Sequence, residues 1–131
     1  MILRAWLAAG LTLAVTQVSA QTTWPNEKQA DYVIKVFHFA SGETIGELRI
    51  HYTTLGTAKR NAAGEITNGV VLLHGTSGSS RNWLLPTLAD ELFKKGQPLD
   101  AAETFIILMD AIGVGGSSKP SDGLKGRGCP R

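Results

Sequence analysis

The chain has 131 residues, 43% hydrophobic and 18% charged, the proportions of an ordinary globular domain rather than of a disordered or fibrous chain. Its 13 basic and 11 acidic side chains give a net charge of +2, with no basic stripe of the kind that grips nucleic acid. One cysteine, Cys129, excludes an internal disulfide and a cysteine-based zinc site.

The first twenty residues read as a leader. Arg4 supplies a positive start, positions 5–15 are apolar, and Val18, Ser19 and Ala20 are the small residues a signal peptidase needs, so cleavage after Ala20 is predicted. A membrane anchor is the alternative, but eleven apolar residues rise only about 16 Å as a helix against roughly 30 Å of bilayer core. The expectation is a signal peptide over 1–20 and an exported chain over 21–131, periplasmic or extracellular, with no membrane association after cleavage.

Strand and helix signals then alternate. Residues 31–39 mix aromatic and β-branched side chains and close at Ser41 and Gly42, while 48–54 are apolar at every second position, which predicts an antiparallel pair. Asn61 to Glu65 is a polar turn containing Gly64. The run 70–73 has no polar alternation and predicts a strand buried on both faces. Pro86 suits a first helical turn, Leu88, Ala89, Leu92 and Phe93 share a face, and Gly96 with Pro98 stops the helix. A second apolar strand, 104–109, ends at Asp110. Strand, helix, strand implies a crossover and a parallel pair.

Two loops therefore leave the C-terminal ends of neighbouring parallel strands, 74–80 and 110–118, at the sheet edge where ligands bind. Gly75 permits a turn that lets the Thr76 amide face the crevice, and main-chain amides at such a spot stabilise developing negative charge. His74 reads as a brace for neighbouring loop backbone, with no task as a base. Gly113, Gly115 and the strand before them resemble a dinucleotide fingerprint, but the third glycine position is Ser118 and Pro120 interrupts the helix a pyrophosphate needs. Neither a cofactor nor a metal site is expected. Asp110 reads as an acceptor for loop amides.

These residues carry a resemblance. His74 and Gly75 after the third strand, Asp110 after the fourth, and the loop of Gly113, Gly115 and Ser117 resemble the first half of an α/β-hydrolase. The stretch Tyr52, Thr53, Thr54, Leu55, Gly56, with Asn61 and Asn68, is similar to the branch of homoserine O-acetyltransferases and related exported hydrolases. The resemblance implies an α/β fold with an antiparallel first pair followed by parallel strands and a crossover helix, present here as an incomplete, N-terminal half.

The resemblance also implies a Ser-Asp-His triad, with its serine on a sharp turn after a fifth strand. No G-x-S-x-G occurs in these 131 residues, and Ser77 and Ser117 follow the wrong strands, so the triad is expected to be absent. Thr76 matches the position whose amide forms half of the family's oxyanion hole, with His74 and Gly75 shaping that turn. The implied substrate is a small-molecule ester or acyl donor, and the chain alone is expected to be inactive. In the family's sheet the third strand lies between the fourth and the fifth, so the outer edge of 70–73 would be bare, inviting aggregation or pairing with another chain and leaving little independent stability. The alternatives are a non-catalytic exported module that binds a small ligand, or one that completes its sheet with strands from a second polypeptide.

Overall fold

The structure, a computed structural model, describes residues 24–122. The proposed leader and Cys129 lie outside them. A hairpin of β1 (Lys28–His38) and β2 (Thr44–Leu55) comes first, followed by β3 (Gly69–Leu73), a 3-10 turn (Ser80–Leu84), helix α1 (Pro86–Leu92) and β4 (Phe105–Met109). The strands form one sheet in the order β1-β2-β4-β3, with β4 antiparallel to β2 and parallel to β3. The chain thus crosses over from β3 through α1 and inserts β4 between the strands made before it. This is the incomplete α/β-hydrolase sheet that the resemblance implies.

The hairpin is longer than its apolar alternation suggests, because the turn fixes the register and the register carries pairing outward to polar residues. The Phe39 amide donates to the Glu43 carbonyl at 2.9 Å, and ladder pairing then runs from His38 opposite Thr44 to Lys28 opposite Thr54. Between β2 and β3 the polar residues are stitches. Asn68 Oδ1 accepts from the Lys59 amide at 2.7 Å while its Nδ2 donates to the carbonyls of Thr57 and Glu103. Asn61 Oδ1 accepts from the amides of Ala63 and Glu65, closing the predicted turn. Gly56 has a φ of +75°, and a Cβ there would collide with the Thr104 carbonyl oxygen.

One face of the sheet holds the core. Leu55, Ile106 and Leu108 are fully buried against Ala89 and Phe93, and Trp24 meets Phe93 edge-on with ring centroids 5.7 Å apart. Burying a side chain such as Phe93 stabilises by about 1.5–3 kcal/mol. Helix α1 is shorter than its sequence pattern, which runs on toward Gly96. The reason lies in the returning chain, since the amides of Leu99 and Ala101 donate to the carbonyls of Leu92 and Phe93 at 2.9 and 3.0 Å. Those carbonyls are the acceptors a further helical turn would need.

The opposite face corrects the reading of 70–73 as a strand buried on both sides. Val70 and Leu72 are half-buried on the core side, whereas Val71 is 53% and Leu73 67% exposed. An apolar groove of about 530 Å³ runs along this side between Tyr32, Ile50, Tyr52, Ile66 and Met109. Strands with apolar side chains on both faces fit a sheet with layers on both sides. Among the described residues only one layer is present.

Candidate active site

The parallel register sets Leu73 beside Met109, so the loops that follow β3 and β4 begin level with each other. His74 joins them. The Ala111 amide donates to His74 Nε2 at 3.0 Å, which makes Nε2 an acceptor and places the ring proton on Nδ1, from which it is donated to the Gly75 carbonyl at 2.8 Å. With both nitrogens engaged, this ring braces backbone and does not present a base to the solvent.

The residues after His74 form a tight turn. The Gly78 amide donates to the Gly75 carbonyl at 3.0 Å, and Ser77 at the third position has a φ of +63°, the pattern of a type II turn. Gly75 has no positive φ, and the space where its Cβ would sit is open, so the left-handed residue that bends this loop is Ser77. Ser77→Val is therefore expected to destabilise by about 1–2 kcal/mol, and Ser77→Gly by less than about 0.5, read from urea unfolding. Thr76 is exposed, and its amide donates to no acceptor among the described residues.

Asp110 holds the two loops together. It is 3% exposed, and its Oδ1 accepts from the Ser80 amide at 2.6 Å while Oδ2 accepts from the Gly116 amide at 2.7 Å. Burial pushes its carboxyl up, but the amides of Ser80 and Gly116, the Ser80 hydroxyl and His51 outweigh this and hold it below the ordinary carboxylate range. Gly115, at a φ of +56°, must lack a side chain because a Cβ would strike that carboxylate.

The glycine loop continues the sheet with side chains. Ser117 Oγ donates to the Asp110 carbonyl at 2.7 Å and accepts from the His51 amide at 2.8 Å, and Ser118 Oγ accepts from the Arg49 amide at 2.9 Å. Ser117 is fully buried with its hydroxyl used in both directions, so its role is structural. His51 Nδ1 contacts Asp31 Oδ1 at 2.6 Å across β1 and β2. The sequence carries a signal for this pair, because a turn closed at 39–43 puts Asp31 opposite His51. Among the described residues no cluster of histidine, cysteine and carboxylate side chains has metal-binding geometry.

No family model matches the chain. A probable acyltransferase of Methanothermobacter thermautotrophicus is 30% identical over 100 residues, which cover 76% of this chain and 30% of that protein. A homoserine O-acetyltransferase from Staphylococcus aureus superposes with a TM-score of 0.61 at 21% identity, over 81% of this chain and 30% of that one. An acetylester hydrolase from Corynebacterium glutamicum gives 0.57 at 24% identity, over 71% of this chain and 24% of that one. The chain thus spans less than a third of the length of the relatives it matches. A sheet ordered β1-β2-β4-β3, paired loops at the ends of β3 and β4, and these neighbours together identify the chain as the N-terminal portion of an α/β-hydrolase fold.

Proposed function

We propose that this chain is the carbonyl-binding portion of an exported ester hydrolase or O-acyltransferase, in which the Thr76 amide is one of two donors to the oxyanion of a tetrahedral intermediate. The observation that carries the reading is the turn at 75–78. It is braced through His74 to the β4 loop, and it holds at Thr76 an exposed amide with no acceptor among the described residues. Such preorganised donors act on charge that develops in the transition state. The likeness to a probable acyltransferase and to ester-handling structures supports the same class. A serine nucleophile, its base and its acid come from outside these 131 residues, so the chain by itself turns nothing over.

The test compares two proteins on an acetyl ester. The 131-residue chain is expected to give no turnover above background. The same chain, extended by the part of the Corynebacterium glutamicum acetylester hydrolase that follows its equivalent of Asp122, is expected to hydrolyse the ester. Turnover by the short chain that a serine-directed reagent blocks would overturn the reading. Export is tested in a bacterial host, where the periplasmic fraction should contain a chain whose mass begins at Gln21.

A second reading, pairing through the outer edge of β3, draws on the exposure of Val71 and Leu73 beside that edge. In this reading the 131-residue chain self-associates. Val71→Thr combined with Leu73→Lys is expected to weaken association at least tenfold in sedimentation velocity, because a lysine on an edge strand opposes both strand addition and apolar contact.

A further inference from the structure

A hollow of about 280 Å³ lies beside Asp110, where β1 and β2 meet the start of the 3-10 turn. Gln29, His51, Ser79, Arg81, Gly115 and Gly116 contribute to its wall. It uses neither Thr76 nor a nucleophile, and so stands apart from the acyl-transfer reading.

The hollow holds an unpaired cation beside a carboxylate that is already satisfied. Asp110, the carboxylate in the wall, has both oxygens taken by the amides of Ser80 and Gly116. Asp31 accepts from His51 Nδ1, leaving Nε2 as the ring nitrogen with no partner among the described residues. The Arg81 guanidinium and the Gln29 amide likewise make no hydrogen bond or ion pair to any described residue. A Cβ at Gly116 would collide with the His51 ring, so the absence of a side chain there lets the imidazole lie against the loop backbone. The wall therefore combines a carboxylate whose acceptors are satisfied with an unpaired guanidinium and the free amino group of Gln29, while Nε2 of the neutral His51 ring is an acceptor. A guanidinium offers parallel N–H groups at the spacing of two carboxylate oxygens.

We propose that this hollow is a binding site for a small organic carboxylate, held in a fork by Arg81, with the Gln29 amide donating a further hydrogen bond and His51 closing the wall. The ¹⁵N-labelled 131-residue chain is titrated with sodium acetate, sodium phosphate and acetamide, with ionic strength held constant by sodium chloride. Acetate is expected to move the amide resonances of Ser80, Gly115 and Gly116 in a saturable way, and acetamide is not. Arg81→Gln should weaken acetate binding at least tenfold, and Arg81→Lys should restore part of that loss by returning the charge without the fork. Arg81 is exposed, so these variants keep the fold, which unchanged resonances elsewhere will verify. The proposal is overturned if acetate gives no saturable shift, if acetamide does the same as acetate, if Arg81→Gln binds as well as the parent, or if phosphate binds more tightly than acetate.

Discussion

Thr76→Pro, made in the extended chain, is expected to lower kcat by about 10² to 10³ while leaving KM within about threefold, the effect of losing one oxyanion donor. Proline is chosen because of the local backbone. Thr76 is the second residue of a turn whose third residue, Ser77, is left-handed, and proline is favoured at the second position of a type II turn. The substitution therefore deletes the N–H while the turn supports the new ring. Thr76→Val keeps the amide and removes the hydroxyl, so its kcat should stay within about threefold of the parent. Steady-state rates on an acetyl ester decide between a main-chain and a side-chain role. Equal losses in both variants would assign the effect to the hydroxyl and remove Thr76 from the oxyanion site.

Asp110→Asn is expected to destabilise the described domain by about 2–4 kcal/mol in urea unfolding at neutral pH, since hydrogen bonds to a charged acceptor contribute about 1.5–3 kcal/mol and a buried donor left unpaired adds its own cost. The carboxylate accepts from two amides, of Ser80 and of Gly116. Asparagine has one carbonyl oxygen, so its amino group must face one of those N–H donors. The same pair of bonds fixes the pH response. The folded-state pKa lies below that of the unfolded chain, so the unfolded chain takes up the proton first as pH falls. The stabilisation is thus present above the ordinary aspartate value of about 3.9 and is lost as the pH falls through the depressed folded value. Stability of the asparagine variant should fall less steeply with acid over that window. Identical acid limbs in the two proteins would show that Asp110 is not the group responsible.

The elements were legible where one local signal dominated. Alternation in 48–54 and the apolar run 104–109 locate two strands, and the Ser41-Gly42 punctuation joins the first pair correctly. The parallel pairing of β3 with β4 follows from the handed crossover through a helix. Other features depend on partners distant in sequence. The end of α1 is set by amides at Leu99 and Ala101, which no periodicity within the helix reports. The half-open face of β3 depends on how many layers cover the sheet, whereas composition reports only that its side chains are apolar.

The candidate site divides in the same way. His74, Asp110 and the glycines of the second loop stand out because strand ends and small residues mark where backbone must turn. Ser77 does not stand out, since nothing in its identity shows that it, rather than Gly75, takes the left-handed conformation. Ser80 and Arg81 sit after that turn without a motif of their own, and only the folded loop sets the first on Asp110 and the second in the hollow.

Because a single carboxylate anchors the start of the 3-10 turn and the glycine loop at once, neither can detach alone without stranding a buried charge. The amides of Ser80 and Gly116, 36 residues apart along the chain, are therefore expected to open as one cooperative unit. In hydrogen exchange they are expected to share one opening free energy, and a molecule that stills either segment is expected to slow exchange in both.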